Sequence, residues 1–249
     1  MYSELKNKRV LITGASGDIG GSIARFLAKY GAILGIHYGE NFPAADALVR
    51  EIKKEGGRAA YFQKNMLSDD AGQLVDEFVR KFGGIDILIN NAGGIVGYKD
   101  FHELDETSWS KTYRLNTQAP FFLAQKSFTY MEKQGGGKII NTSSIAAKYG
   151  GSPKSLHYGV AKAALEAMTI GLARFGAPHN ILVNAIRGGF IDTQFQRRFT
   201  KGKDLESRID LVPLKRSGRP DDIAHAVLYL ASEAGNFITG EILTVAGGD

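Results

Sequence analysis

Short apolar runs alternate along the chain with longer stretches in which apolar positions recur every three to four residues. The short runs predict strands at Arg9 to Thr13, Ala32 to His37, Ala59 to Gln63, Ile85 to Asn90, Lys138 to Thr142, Ile181 to Ile186 and Ile242 to Val245. The longer stretches predict helices through Ile19 to Tyr30, Ala44 to Glu55, Ala71 to Phe82, Ser108 to Met131, Tyr158 to Phe175 and Asp221 to Ala231. The last helix is well signalled: Pro220 suits a first turn, and Asp221 and Asp222 complement the positive end of the helix dipole. Strands such as Ile85 to Ile89 are apolar on both faces, as expected of a parallel sheet covered by helices on two sides. This alternation predicts an α/β fold, a doubly wound seven-stranded parallel sheet with helices on both faces. No Pro- or Ser-rich linker, repeat or composition break divides it, so residues 1–249 are expected to form one domain.

Composition narrows the class. With 43% hydrophobic and 23% charged residues the chain is globular, and disorder, collagen and coiled coil are excluded. The absence of cysteine excludes a disulfide scaffold, a thiolate metal site and a Cys nucleophile, and fits a reducing compartment. Met1 to Arg9 is polar and charged, and the apolar stretch after it breaks at Thr13 and Gly14, too short for an export signal or a membrane span. The expectation is a cytoplasmic protein with no membrane partner and no metal. Two features need explaining: 31 glycines, and a net charge of +5. The charge is concentrated in residues 191–220, which hold eight basic and four acidic side chains. No nucleic-acid-binding motif accompanies that segment, so no nucleic-acid partner is expected.

The first predicted strand and helix are joined by Thr13-Gly14-Ala15-Ser16-Gly17-Asp18-Ile19-Gly20. Glycines in such a turn allow a tight bend and a close backbone approach to a diphosphate, which the free N–H groups of the helix start then receive. Asp18 stands where a middle glycine is expected, and a carboxylate beside a diphosphate is unfavourable unless turned away or neutralised. Further along, Tyr158 and Lys162 are spaced to share one helix face. An ammonium about 4 Å from the phenol would favour the phenolate by about three pKa units at an effective dielectric near 20. That would suit a proton donor in hydride transfer to a carbonyl. Spacing alone is weak evidence, because ten tyrosines and eighteen lysines make such a pair by chance, as Tyr2 and Lys6 do. Context adds weight: Ser144 and Asn90-Asn91-Ala92-Gly93 end predicted strands at the carboxyl edge, where ligands of open α/β sheets bind.

At these residues the chain resembles the short-chain dehydrogenase/reductase family, in its branch of about 250 residues. The resemblance continues through Leu115-Asn116-Thr117, Val183-Asn184-Ala185-Ile186, Gly189-Phe190-Ile191-Asp192-Thr193, Gly218-Arg219-Pro220, Ile238-Thr239-Gly240 and Gly247-Gly248. It implies that Tyr158 is the general acid in reduction and the base in oxidation. Lys162 would lower the pKa of Tyr158 and bind the nicotinamide ribose, and Ser144 would hydrogen-bond the substrate oxygen. Asn116 would fix a water that links Lys162 to solvent. Cofactor contacts are implied at Gly14, Ser16, Gly17, Asp18, Ile19, His37, Tyr38, Asn65, Met66, Asn90, Ala92, Gly93, Gly188, Gly189, Ile191 and Thr193. Bland readings stand beside these: Asn116 as a polar helix residue, Ser144 as a strand-end turn, Thr193 as a helix cap.

The chain departs from the family pattern at several points. Arg187-Gly188-Gly189 replaces the usual Pro-Gly after Asn184-Ala185-Ile186, and a flexible charged element is expected there. Asn65 and Ala246 stand where aspartates are common. Tyr38 occupies the position where a carboxylate would grip a ribose 2′-OH, so NADP(H) is preferred and NAD(H) stays an alternative. His37 and Lys64 are the candidate partners for a 2′-phosphate. Residues 191–216 fall where the family places a substrate lid, its basic residues facing either an anionic substrate or solvent. The resemblance also implies pairing into a homodimer or homotetramer. The expected function is an NAD(P)(H)-dependent carbonyl–alcohol oxidoreductase with a small-molecule substrate. A 3-oxoacyl thioester, a sugar or polyol and an alicyclic ketone are its candidate substrates, with a non-catalytic dinucleotide-binding sensor or assembly protein as the alternative.

Overall fold

The computed structural model describes residues 2–68, 70–200 and 202–249; Lys201 of the basic segment and the Lys203 side chain lie outside this description. The seven expected strands are all present: β1 Arg9–Ile12, β2 Ile33–Tyr38, β3 Arg58–Gln63, β4 Ile87–Asn90, β5 Gly137–Ser144, β6 Ile181–Gly188 and β7 Ile242–Val245. They form one sheet in the order β3-β2-β1-β4-β5-β6-β7, with every pairing parallel. The order reverses between β1 and β4, the point at which open α/β sheets leave a crevice at the carboxyl edge.

The helices are α1 Asp18–Lys29, α2 Phe42–Lys54, α3 Gly72–Phe82, α4 Glu106–Tyr113, α5 Ala119–Gln134, α6 Ala146–Tyr149, α7 Leu156–Gly176, α8 Gln194–Phe199, α9 Lys203–Leu211 and α10 Pro220–Ala231. One apolar layer joins Val10, Ile12, Leu34 and Ile36 to residues of α1, α2 and α10. The other joins Leu11, Leu88, Ile139 and Val183 to α3, α5 and α7. Adjacent strand residues thus bury opposite faces, which is why the strands lack a polar face.

Two expectations about local structure are corrected. Ser108 to Met131 is not one helix: α4 and α5 are separated by a π-helical turn at Arg114–Gln118. Pro120 has no N–H to offer the Asn116 carbonyl, and the Asn116 side chain bonds back to the Thr112 carbonyl at 2.8 Å, so the regular ladder is broken here. Arg187-Gly188 is not a flexible turn either. Both residues pair with Ser143 and Ser144 as the last rungs of β6 on β5.

Candidate active site

The glycine turn lies between β1 and α1. A Cβ on Gly20 would come 2.5 Å from the Gly14 carbonyl oxygen, so the last glycine is required for α1 to start this close to β1. Asn91 pins the turn, its side-chain amide donating to the carbonyls of Thr13 at 3.0 Å and Gly14 at 3.2 Å. His37 supports it from below. Its Nδ1 accepts the Gly14 N–H at 3.0 Å and its Nε2 lies 3.0 Å from the Lys64 carbonyl, so Nε2 carries the proton. Burial lowers the His37 pKa to about 4.

A cleft of about 360 Å³ runs from this turn along the carboxyl edge. Of the expected residues, Gly14, Ser16, Gly17, Asp18, Ile19, Ala92, Gly93, Ser144, Tyr158, Lys162, Gly188, Gly189, Ile191 and Thr193 line it together. At one end α1 begins at Gly17 with no side-chain cap, whereas Asn41, Asp105 and Thr193 cap α2, α4 and α8. Exposed N–H groups at a helix start that faces a cleft suit the diphosphate of a dinucleotide. Asp18 does not spoil this end: its carboxylate accepts the Gln194 N–H of α8 at 2.6 Å and lies within the field of Arg197. The residues present therefore fit such a cofactor.

At the other end, Ser144, whose Oγ accepts the Ala146 N–H at 3.2 Å, and Tyr158 line the cleft together. Desolvation of the phenol outweighs the opposing influence of Ser144 and raises the Tyr158 pKa to about 12. The expectation that Lys162 lowers this pKa is corrected here. Lys162 Nζ lies 5.7 Å from the centre of the Tyr158 ring and donates to the Thr142 carbonyl at 2.7 Å, and burial lowers its own pKa to about 8. A Cβ on Gly93 would come 2.7 Å from Asn116 Oδ1 and 3.0 Å from Lys162 Nζ, so Gly93 separates these two groups. Asn116 is fully buried and holds this loop. Its side chain donates to the Gly94 carbonyl at 2.7 Å and accepts the Gly94 N–H at 3.1 Å.

The remaining expected residues lie off the cleft. Asn90 is buried within the sheet, its amide donating to Asn141 Oδ1 at 2.9 Å. Asn65 is exposed, and its Oδ1 accepts the Leu67 N–H at 2.9 Å. Met66 packs in the core and borders a separate groove of about 610 Å³ beside α3 and α5. Tyr38 belongs to an aromatic cluster with Phe42 and Tyr61. The expectation that His37 or Lys64 meets a 2′-phosphate is corrected: His37 is buried and neutral with both ring nitrogens engaged, and Lys64 Nζ is 3.3 Å from both Gln73 and Glu77. Thr193 lines the cleft and also caps α8, accepting the Gln196 N–H at 3.2 Å.

Several side chains at the site were not anticipated. Glu166 sits one turn after Lys162 on α7, accepts the Ser143 hydroxyl at 2.7 Å and pairs with Arg187 through two bonds of 2.9 and 2.6 Å. The sequence signal for it was its spacing of four from Lys162. Asn91, Phe195 and Arg198 also line the cleft. Of the basic segment, Arg197 pairs with Asp192 and Arg216 with Asp222.

An uncapped helix start at one end of a crevice, with a serine and a tyrosine beside a buried lysine at the other, suits a dinucleotide-dependent oxidoreductase acting between carbonyl and hydroxyl groups. Residues 14–249 match the family model described as enoyl-(acyl carrier protein) reductase. The 3-oxoacyl-acyl-carrier-protein reductase FabG of Aquifex aeolicus is 35% identical over 250 residues, covering 100% of this chain and 99% of that protein. A short-chain dehydrogenase from Burkholderia cenocepacia in complex with NADP superposes with a TM-score of 0.91 at 32% identity, covering 98% of each chain. A 7α-hydroxysteroid dehydrogenase complexed with NADH and 7-oxo glycochenodeoxycholic acid also has a TM-score of 0.91, at 35% identity over 98% of this chain and 94% of that one. The chain belongs to the short-chain dehydrogenase/reductase family.

Proposed function

We propose that the chain interconverts a carbonyl and a secondary alcohol, using NADP(H) in preference to NAD(H), with Ser144, Tyr158 and Lys162 as its catalytic residues. The observation that carries this reading is the convergence of Ser144, Tyr158 and Lys162 in the same cleft as an uncapped helix start. A bound nicotinamide would supply or accept the hydride. Tyr158, held protonated by burial, donates its proton to the carbonyl oxygen in reduction and takes it back in oxidation. Ser144 directs its hydroxyl to the same oxygen as negative charge develops. Lys162 is fixed by Thr142 and would bind the ribose hydroxyls, and Asn116 keeps the Gly93-Gly94 loop in place beside it. Gly14, Ser16, Gly17 and Ile19 receive the diphosphate.

The preference for NADP(H) is supported by Tyr38 where an acidic residue would exclude a 2′-phosphate, and by NADP in the Burkholderia relative. NADH in the steroid dehydrogenase keeps NAD(H) as the alternative. The reading takes the whole chain as one cytoplasmic domain with residues 191–216 as its lid; among the described residues no helix is long and apolar enough to cross a membrane. Exposed Phe121 and Phe122 on α5, with Ile170 and Phe175 on α7, support pairing of copies into a homodimer or homotetramer. Replacing Tyr158 with Phe should abolish turnover and leave NADPH binding intact; turnover at the original rate would refute this reading. The similarity to FabG favours 3-oxoacyl thioesters as one substrate class, and the 7-oxo steroid bound by the dehydrogenase favours ring ketones as another.

A further inference from the structure

The reacting groups stand on two different elements. Ser144 ends β5, whereas Tyr158 and Lys162 lie on α7, and all three line one cleft. Their relative placement is therefore only as good as the attachment of α7 to β5. Side-chain bonds make that attachment at successive levels. Lys162 Nζ donates to the Thr142 carbonyl at 2.7 Å, the Ser143 hydroxyl donates to Glu166 Oε1 at 2.7 Å, and the Asn141 amide donates to Thr169 Oγ1 at 2.9 Å.

The Glu166 attachment differs from the others in charge and reach. Strand register sets Ser143 beside Arg187 and Arg187 beside Thr244, one residue before the row of Ser144, Gly188 and Val245. Glu166 takes Ser143 from β5 and Arg187 from β6, the latter through its bonds of 2.9 and 2.6 Å. Arg187 Nη1 continues to Thr244 Oγ1 of β7 at 3.3 Å. One carboxylate on α7 thus holds adjacent strand ends directly behind Ser144 and Gly188, which line the cleft. Glu166 and Ser143 are both buried, and a hydrogen bond to a carboxylate in such surroundings is strong. Neutralising Glu166 needs only Arg187, so the Ser143 bond has a different consequence: it ties the residue next to Ser144 to the helix of Tyr158 and Lys162.

We propose that Glu166 is a positioning residue for the reaction. By accepting the Ser143 hydroxyl it holds the end of β5, and with it the Ser144 hydroxyl, in place relative to Tyr158 and Lys162, while Arg187 holds Glu166. The inference rests on the oxidoreductase reading above. Groups that act on one substrate oxygen from separate elements are sensitive to small displacements, about 100-fold in rate for about 1 Å.

The test compares the full chain with Glu166→Gln/Arg187→Met and Glu166→Leu/Arg187→Met. Both double variants remove the Glu166 charge from the helix turn after Lys162, so the difference between them reports the acceptor for Ser143. The measurements are kcat and KM at saturating NADPH for acetoacetyl-coenzyme A, 7-oxo glycochenodeoxycholic acid and cyclohexanone, NADPH affinity by fluorescence titration, and urea unfolding. Gln keeps the acceptor, and its kcat should stay within about 3-fold of the full chain. Leu should lower kcat about 10- to 100-fold, with KM and NADPH affinity within about 3-fold and a urea midpoint no lower than that of the Gln variant. Equal kcat in the two double variants, or a loss that follows NADPH affinity, would overturn the proposal and leave the oxidoreductase reading in place. Should the Leu variant fail to fold, Ser143→Ala, which keeps the Glu166–Arg187 pair, decides: kcat should fall about 3- to 10-fold, and an unchanged kcat would overturn the proposal. No turnover of any of the three ketones by the unsubstituted chain with NADPH bound would overturn both readings.

Discussion

His37 ties the stability of the fold to the integrity of the cofactor turn. In the unfolded chain its imidazole titrates near 6.5, and in the folded protein near 4, because the ring is buried and its Nδ1 must stay unprotonated to accept the Gly14 N–H. As pH falls below 6.5 the unfolded chain takes up a proton that the folded chain does not. The stability that neutral His37 contributes is therefore complete above 6.5 and lost as pH falls toward 4. Linkage between these two values gives a loss of about 2 kcal/mol from pH 7 to pH 5. Urea unfolding of the full chain and of His37→Gln at both pH values isolates the effect, because acidic groups titrate in both proteins. The full chain should lose about 2 kcal/mol more than the variant over this interval. Equal losses would refute the assignment of a buried, neutral His37. A second readout follows from the geometry: NADPH affinity should hold between pH 7 and pH 5 and weaken only as pH falls toward 4, where protonated Nδ1 and the Gly14 N–H become two donors facing each other.

Removing Arg187 as Arg187→Met should destabilise the fold by about 2 to 4 kcal/mol, because it strands the largely buried Glu166 carboxylate. Adding Glu166→Gln should restore much of that, measured by urea unfolding in a double-mutant cycle; additive losses would show that the two side chains act separately. Alcohol oxidation should accelerate as pH rises from 7 to 9 while carbonyl reduction stays nearly level, because the base form of Tyr158 is scarce below its raised pKa; initial rates in both directions check this. Asp18→Ala removes the acceptor of the Gln194 N–H, and faster proteolysis within residues 194–211 should follow, with a cleavage pattern identical to that of the full chain as the contrary result.

Much of the arrangement could be read from the sequence. Apolar runs such as Val10 to Ile12 and Ile87 to Ile89 could only be strands buried on both faces, and the glycines between β1 and α1 had to form a turn at a sheet edge. Ser144, Tyr158 and Lys162 could be singled out because their order along the chain resembles the family's, with Ser144 at a strand end and the other two on one helix face. Glycine's excess has its reason in close approaches, at Gly20 against Gly14 and at Gly93 between Asn116 and Lys162.

What periodicity could not carry was the state and direction of each side chain. A helical pattern does not reveal the π turn at Asn116, which arises where Pro120 withholds a donor and a side chain takes over a carbonyl. Burial, a property of all surrounding elements at once, set Tyr158 toward its acid form and His37 toward neutrality, against what neighbouring charges in the sequence suggested. Arg187 looked like an exposed charge on a loose turn until β6 placed it against Glu166 from α7. The same holds for the net charge of +5. Its sum is a property of the sequence, but only the packing around α8 and α10 decided that Arg197 and Arg216 face carboxylates while Arg198 faces the cleft, because charges act through space and not along the chain.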